Sequence, residues 1–279
     1  MSLTVAFRAV LLLSLAACRG LPASPAQACK FSLNEAGEQV AQCDADLADQ
    51  GDVNALDGVV EISGHLRFIA VRPITDLSPL SALRRVGGSF GVSSAYLNAP
   101  PPRLQSLARL DALDAVEGNF SLSDTRLTDV GPFPSLTRIG GSLNVDDNAR
   151  LTNLDGLGAV TEIGGDLDIQ ENGALTSVRG LGGVTQLGGV DWSPCDGGEL
   201  GNLNVIRNPA LASLDGLQGV RTARKVAVVG EAFTHVDGLS GLTDAERLDL
   251  FTPQVPDAEQ DSVRAALALC NPGAADTDE

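Results

Sequence analysis

Three groups of residues in this 279-residue sequence have types and spacing that could support chemistry. Residues 87–91 read GGSFG and match GxSxG, the turn that exposes a nucleophilic serine in many hydrolases. The two histidines, His65 and His235, are potential bases or metal ligands. Neighbouring carboxylates such as Asp146 and Asp147 could act as acid and base or bind calcium. The pattern around each group decides how it is interpreted.

The GxSxG match is better explained by a repeat than by a nucleophile. The same five positions read GGSLN at 140–144 and GGDLD at 164–168, so Ser89 occupies a repeated position. The sequence after it gives no strand-turn-helix context, which the motif requires. Neither histidine lies in an HExxH motif or in a sequence pattern that indicates a catalytic triad. We expect His65 at an outward strand position and His235 beside a turn, and we predict no catalytic residue, metal site or cofactor.

The body of the chain repeats with a period near 24 residues. Residues 137–160 and 161–184 are identical at half of their positions, and about eight copies can be aligned between residues 62 and 251. One segment of each copy alternates apolar and polar residues, which is typical of a strand. A single copy cannot bury its apolar face, whereas stacked copies share a core. The pattern therefore predicts a solenoid.

Each predicted strand carries two apolar residues that should point inward. These pairs are Leu66/Phe68, Phe90/Val92, Phe120/Leu122, Leu143/Val145, Leu167/Ile169, Leu203/Val205, Val226/Val228 and Leu248/Leu250. A second apolar set follows in the return half of the clearest copies: Leu151, Leu154 and Leu157; Leu175, Val178 and Leu181; Leu211, Leu214 and Leu217.

Glycine pairs and single asparagines bracket the predicted strands. The pairs precede the strands at 87–88, 140–141, 164–165 and 188–189, and we interpret them as sharp turns with positive φ. Asn148, Asn172 and Asn208 follow the strands, where an amide can satisfy the backbone groups of a corner. A ligand-binding asparagine ladder is the alternative to this structural interpretation.

The pattern IGGxLxIxxNxxLTxLxGL, carried most clearly by residues 163–181, resembles the receptor L domain of insulin-receptor and EGF-receptor ectodomains. The similarity covers roughly residues 55–250. Two copies depart from it, because Arg224-Lys225 replaces the glycine pair and the copy with Tyr96 is too long. The resemblance implies a mainly β, right-handed parallel β-helix or leucine-rich-repeat-like solenoid of about eight coils. It also implies binding or display rather than catalysis, so we expect a non-enzyme. Ordinary leucine-rich repeats, with LxxLxL at the strand, are the alternative family.

The N-terminus has the features of an export signal. Arg8 precedes an apolar run at 9–17 that is too short to span a bilayer. The following Leu15-Ala16-Ala17-Cys18 resembles the lipobox of bacterial lipoproteins. The resemblance implies a lipoprotein signal peptide at 1–17, a lipid on Cys18 and a tether at 18–28. Arg19 after the cysteine implies a lipid anchor in the outer membrane of a bacterial cell envelope, on its periplasmic or surface face. Cleavage after Ala28 is the alternative.

Five cysteines are present: Cys18, Cys29, Cys43, Cys195 and Cys270. If Cys18 carries lipid, four remain for an oxidising compartment, and three pairings are possible. We favour Cys29–Cys43, which closes a short loop and leaves Cys195–Cys270. The sequence has no CxxC spacing that would favour zinc instead.

Both ends of a solenoid need covering, because an open coil exposes its core and its strand edges. We assign residues 29–54 to an N-terminal cap, 55–250 to the solenoid, and 251–279 to a C-terminal cap helix and tail. The predicted helix spans 256–270, is capped by Asp257, and places Val263, Leu267 and Cys270 on one face.

The outward strand positions form the expected working surface. We name Asn144, Asp166, Asp168 and Asn204 on this strip, and Trp192 in an insertion, as binding residues. The alternative for Trp192 is that it only covers the base of its loop. The bases nearest the carboxylates, Arg138 and Arg150, fall at coil edges, which favours a solvated acidic face over a catalytic site.

Together these features predict a lipid-anchored envelope protein that displays a binding or adhesion module for a protein or glycan. The net charge of −17 excludes a nucleic-acid partner. A structural envelope component without a specific ligand and a β-helix enzyme acting on polysaccharide are the alternatives.

Overall fold

The computed structural model describes residues 29–69, 72–93, 104, 106–189 and 200–267. These residues form a stack of coils in which two parallel sheets face each other across a shared apolar interior. The nine-stranded sheet contains, in spatial order, β3 (Ala45–Leu47), β5 (Leu66–Phe68), β7 (Phe90–Ser93), β9 (Phe120–Ser123), β11 (Leu143–Asp146), β13 (Leu167–Gln170), β15 (Leu203–Ile206), β16 (Thr222–Val229) and β17 (Asp244–Phe251).

The repeat pattern did not predict the second sheet, which has eight strands. They are β1 (Lys30–Leu33), β2 (Gln39–Gln42), β4 (Val59–Ile62), β6 (Arg85–Val86), β8 (Ala115–Val116), β10 (Arg138–Ile139), β12 (Glu162–Ile163) and β14 (Gln186–Leu187). From β6 onward these strands have only two residues each, so they carry too little alternation to be recognised in the sequence.

Strand pairing confirms the solenoid prediction. Leu143 of β11 pairs with Leu167 of β13, which in turn pairs with Leu203 of β15, all in parallel register. Only β1, which pairs antiparallel with β2, departs from the parallel arrangement within the described sheets. The fold is therefore a mainly β solenoid of about eight turns with a single C-terminal helix.

The predicted inward residues form the core. Every strand pair from Leu66/Phe68 to Val226/Val228 is buried, as are the leucine and valine sets of the return half, whereas Leu248 and Leu250 in the last strand are half-buried. Phe90 and Phe120 stack with ring centroids 4.6 Å apart, and Phe133 meets Phe120 edge-on at 5.5 Å. Equivalent positions of neighbouring coils are thus stacked, and each inward side chain packs against its counterparts in the coils above and below.

The prediction that the glycine pairs need positive φ is wrong for most of them. Among these pairs only Gly188 has a positive φ, of 91°. A Cβ on Gly164 would overlap the carbonyl group of Gly140 in the preceding coil, and a Cβ on Gly165 would lie 2.5 Å from Oγ of Ser142. Glycine is required there because successive coils approach too closely for a side chain.

Four of the five non-glycine residues with positive φ in the described ranges lie instead at the corner after a strand. Asp124, Asp147, Glu171 and Arg207 have φ of 49°, 56°, 56° and 55°. These four residues immediately follow β9, β11, β13 and β15, so these four coils make a left-handed turn with an exposed, charged residue at the corner.

Short segments complete the two ends. The predicted disulfide between Cys29 and Cys43 is present and joins the start of β1 to the end of β2. Helix α1 (Gln50–Asn54) follows, and parallel pairing already begins at β2 and β3. Cys18, Cys195 and Cys270 lie outside the described residues, so the Cys195–Cys270 bridge stays a prediction.

The C-terminal cap helix α2 spans Asp257–Ala266 and buries Val263 and Leu267 against the core, as predicted. The predicted capping role of Asp257 is wrong, because Pro256 is the N-cap residue and Asp257 is already the first helical residue. A carboxylate in the first turn still interacts favourably with the helix dipole. The helix is held by Glu259, whose Oε1 accepts the backbone N–H of Val236 at 2.5 Å.

Candidate functional site

The outer face of the nine-stranded sheet carries four of the five predicted binding residues. Asn144, Asp168 and Asn204 occupy the same register position on β11, β13 and β15, and Asp166 immediately precedes β13. All four are half-buried. The fifth residue, Trp192, lies outside the described residues.

The column that contains Asp166 is a ladder of side chains bonded to backbone. Each side chain accepts the N–H of the equivalent residue in the next coil, with distances from 2.7 to 3.1 Å. The order of residues in the ladder is Asp44, His65, Ser89, Asn119, Ser142, Asp166 and Asn202. A carboxylate, an imidazole, a hydroxyl or a side-chain amide can each accept this N–H. The residue type in the column can therefore vary, as long as the side chain is polar.

The ladder also explains the GxSxG match. It brings Ser89, His65 and Asp44 together, but every contact is to a backbone amide. Nδ1 of His65 accepts the N–H of Ser89 at 2.8 Å, and Oδ1 of Asp44 accepts the N–H of His65 at 2.9 Å. A catalytic imidazole would instead donate Nδ1–H to the acid and accept from the serine hydroxyl. Here the Nδ1 lone pair is already used, and Ser89 Oγ accepts the N–H of Asn119.

The second outward column forms pairs of neighbouring side chains. Nδ2 of Asn204 donates to Oδ1 of Asp168 at 2.5 Å, and Nδ2 of Asn144 donates to Oγ of Ser121 at 3.1 Å. At the N-terminal end of the same column, Arg67 forms a two-point ion pair with Asp46. The positive charge on this column therefore lies several coils away from Asp168.

Four carboxylates lie close together on β11 and β13 and at the corners that follow these strands. This acidic patch consists of Asp146, Asp147, Asp168 and Glu171. Glu171 forms an ion pair with Arg207 at 2.8 Å, whereas no lysine, arginine or histidine in the described part of the chain forms an ion pair with the other three. Arg138 lies on the other sheet, where it contacts Glu162 at 3.3 Å.

The surroundings of the acidic patch raise the pKa values of three of its carboxyls. Burial raises the pKa of Asp146 to about 6, with further contributions from the charges of Asp168, Asp147 and Glu171. Burial also raises the pKa of Asp147, again with a contribution from Glu171. The pKa of Asp168 is raised by burial, and the hydrogen bond from Asn204 opposes this shift in part. The three carboxyls therefore favour a proton or another cation more than isolated carboxyls do.

An apolar surface that the sequence analysis missed adjoins the acidic patch. Ile206, Val229 and Phe251 follow Gln170 at the same register position on β15, β16 and β17. Phe251 is 66% exposed, and it lines a concavity of about 530 Å³ together with Val229 and Arg207. The strand period could have identified Phe251, because Leu248 and Leu250 point inward and the residues between and after them must point outward.

A convergence of side chains at His235 was also not predicted from the sequence. The turns of two neighbouring coils place Asp215 and Asp237 beside this histidine, and the three can each direct one oxygen or nitrogen atom to a common point. The available signal was the alignment of residues 213–217, SLDGL, with residues 235–239, HVDGL, which puts the two aspartates at the same repeat position.

The chain was compared with known proteins, and neither a family model nor a curated sequence matches it. In the described ranges, no helix has both the length and the apolar character needed to cross a bilayer.

Proposed function

We propose that this chain is a lipid-anchored envelope protein whose solenoid binds a protein partner with a basic surface. The observation that carries the proposal is the acidic patch, in which Asp146, Asp147 and Asp168 have raised pKa values and no ion-pair partner in the described structure. Lysine or arginine side chains of a partner would supply the missing opposite charge.

The charges of the acidic patch favour binding over a purely structural role. Each ionised carboxyl in the patch is destabilised by burial and by its neighbours, and this cost is relieved when a cation approaches. The negative field of a chain with net charge −17 would also steer a basic partner toward the surface. A face used only for assembly of the solenoid does not require three such carboxyls.

The neighbouring apolar surface favours a protein over a glycan. Ile206, Val229 and Phe251 extend the face beyond the acidic patch, and protein interfaces combine an apolar centre with a polar rim. Glycan binding normally uses aromatic rings that stack on sugars, and Phe251 is the one aromatic side chain at the described outward strand positions of this sheet. It lies at the last strand, away from the centre of the acidic patch.

Catalysis is not part of the proposal. Ser89 and His65, which match hydrolase residues in type, both use their side chains to bind backbone amides. Within the described structure, the one ion pair that the acidic patch makes joins Glu171 to Arg207, and an arginine side chain stays protonated and cannot accept a proton.

The test uses two variants with the same change in charge. The patch variant carries Asp146→Asn, Asp147→Asn and Asp168→Asn, and the control carries Asp57→Asn, Asp111→Asn and Asp155→Asn, three exposed aspartates away from the nine-stranded sheet. Proximity labelling in cells that produce each chain identifies neighbouring proteins. We expect the wild type and the control to label the same basic protein and the patch variant to lose it.

A second arm measures affinity with a defined probe. An oligolysine peptide is titrated into the purified full chain, and the amide resonances that shift are mapped. We expect shifts centred on β11 and β13 that weaken with added salt in the wild type and control, and that disappear in the patch variant. Equal binding and equal labelling by the patch variant and the control would contradict the proposal.

A further inference from the structure

Two aspartates and a histidine meet at the turns of neighbouring coils, on a part of the solenoid separate from the nine-stranded sheet. One ligand atom from each of Asp215, His235 and Asp237 lies within 4.8 Å of the other two. Nε2 of His235 is 3.7 Å from Oδ1 of Asp237. Asp215 and His235 are half-buried and Asp237 is exposed, so the cluster is open to ions from solvent.

The repeat shows that His235 departs from the residue type that this turn otherwise uses. In three earlier coils, a small polar side chain accepts the backbone N–H two residues further on. The pairs are Asn153 with Asp155 at 3.1 Å, Ser177 with Arg179 at 3.2 Å, and Ser213 with Asp215 at 3.0 Å. His235 holds the equivalent position before Asp237 and directs its ring toward the carboxylates instead.

The ring of His235 contacts Thr234 through Nδ1 and has Nε2 on the side of the carboxylates. Nδ1 of His235 lies 2.9 Å from Oγ1 of Thr234, and that hydroxyl can donate its own proton to the carbonyl of Ala212 at 3.4 Å. In the tautomer with its proton on Nδ1, His235 donates to Thr234 Oγ1, and the lone pair of Nε2 lies on the side of Asp237. Histidines that bind metals are held in this way, with the second nitrogen donating to a neighbouring oxygen.

We propose that Asp215, His235 and Asp237 form a binding site for a divalent transition-metal ion such as Zn²⁺. His235 would bind through Nε2, and each aspartate through one carboxylate oxygen. One imidazole and two carboxylates suit Zn²⁺, which accepts nitrogen and oxygen ligands in a four-coordinate site. Ca²⁺ prefers six to eight oxygens, and three ligands of which one is nitrogen serve it poorly. The fourth position would be left to water.

Arg179 modulates this site. Its Nη2 lies 3.0 Å from Oδ2 of Asp215. The arginine therefore places a positive charge beside the proposed ion. Removal of the arginine should strengthen metal binding, because the competing charge is lost while both carboxylates remain.

The test titrates Zn²⁺ into the purified, oxidised full chain in the presence of excess Ca²⁺. The chain contains only two histidines, so their ring resonances in NMR spectra provide an internal comparison. We expect one Zn²⁺ per chain, a shift of the His235 resonances and no shift for His65, whose Nδ1 is occupied by the N–H of Ser89.

Variants then test whether Zn²⁺ binds at this site rather than at other residues, such as cysteines. We expect His235→Ala and Asp215→Asn each to weaken Zn²⁺ binding at least about tenfold, by comparison with the 10–100-fold loss typical of outer-shell changes. Arg179→Gln should bind more tightly than the wild type. Asp155→Asn, at the same turn position two coils away from Asp215, is the matched control and should bind as the wild type does. Circular dichroism checks that each variant is folded.

Unchanged affinity in His235→Ala, a shift of both histidines or of neither, or weaker binding in Arg179→Gln would each overturn the proposal. The site is distinct from the acidic patch, so loss of Zn²⁺ binding in the patch variant would also contradict it. These outcomes are independent of whether a basic protein binds to the outer face of the sheet.

Discussion

The side-chain amide of Asn148 donates to Oδ1 of Asn172 at 3.1 Å, and the backbone N–H of Asn148 donates to the same oxygen at 3.2 Å. The pattern is repeated one coil further on, where Asn172 donates to Asn208 in the same two ways. All three asparagines are buried. This ladder confirms the structural interpretation of the three residues, because each amide satisfies backbone groups of a corner and none is available to a ligand.

Replacement of Asn172 by alanine should destabilise the solenoid strongly. Besides its contacts with the other asparagines, Nδ2 donates to the carbonyl oxygens of Val145 at 2.8 Å and Gln170 at 2.9 Å. Alanine removes one donor from each of these carbonyls, and it also removes Oδ1, the acceptor of the buried backbone N–H of Asn148. Each buried group that is left unsatisfied costs about 1–3 kcal/mol. We expect Asn172→Ala to lower the free energy of unfolding in urea by about 2–4 kcal/mol.

Asn144→Ala is the matched control for that experiment. Asn144 is half-buried on the outer face and its amide donates to Ser121 Oγ. Its removal should cost less than about 1 kcal/mol. Similar losses in the two variants would show that the buried ladder contributes no more than an outward contact.

The glycine pairs allow a second stability prediction. A Cβ on Gly164 would overlap the backbone of Gly140, although Gly164 is itself exposed. Gly164→Ala should therefore force the two coils apart and lower the free energy of unfolding by about 1–3 kcal/mol, the usual cost of overpacking.

Gly173→Ala is the corresponding control, because a Cβ there would lie 3.8 Å from the nearest atom, an ordinary contact with the carbonyl oxygen of Ala149. Gly173 is also exposed and has no positive φ. Its replacement should change stability by less than about 0.5 kcal/mol. Thermal unfolding of both variants measures the difference, and equal melting temperatures would mean that the close approach between coils can relax without cost.

Much of the fold could be predicted from the sequence, because a repeat multiplies weak local signals. The alternation at Leu143/Val145 alone is ambiguous, but its recurrence at Leu167/Ile169 identifies stacked strands, and both pairs are buried on adjacent rungs. The register even continues past the insertion: Asn202 donates its N–H to Asp166 at 2.7 Å across 36 residues. Periodicity determines which positions are equivalent, and equivalent positions then stack.

Contacts between coils could not be predicted to the same extent. The alternation rule places Asp168 and Asn204 outward but does not reveal that they share a hydrogen bond. The convergence of His235 with Asp215 depends on the side-chain directions at a turn, and the sequence pattern contains no information on those directions. The reason for glycine at position 164 likewise became visible only from the distance to the neighbouring backbone.

The lipid anchor remains a prediction from the sequence and can be tested directly. In Cys18→Ser the proposed acceptor of the lipid is lost, and the chain should move from the membrane fraction to the soluble fraction. Metabolic labelling with a fatty-acid analogue should fail in the same variant. Labelling of the double variant Cys29→Ser/Cys43→Ser, which removes the disulfide and keeps Cys18, should persist. Undiminished labelling of Cys18→Ser would contradict lipid attachment at that residue.

The acidic patch predicts an unusual dependence of stability on pH. The pKa of Asp146 is about 6 in the folded chain against an ordinary value of 3.8. The folded state therefore binds a proton more tightly than the unfolded state does. Between these two values stability falls as pH rises, and above about pH 6 the cost is fully present. Asp146→Asn imitates the protonated form, so it should stabilise the protein at neutral pH, by about 1–2 kcal/mol after allowance for screening by solvent.

The measurement is urea unfolding of wild type and Asp146→Asn at several values between pH 4 and pH 8. The difference between the two should be largest at neutral pH and should shrink as the pH falls through 6, because the wild-type carboxyl then takes up its proton. Asp155→Asn, an exposed aspartate outside the acidic patch, should show no such trend. If Asp146→Asn were less stable than the wild type at pH 7, the carboxylate would have to be stabilised in the fold, and the electrostatic basis of the proposed interface would be lost.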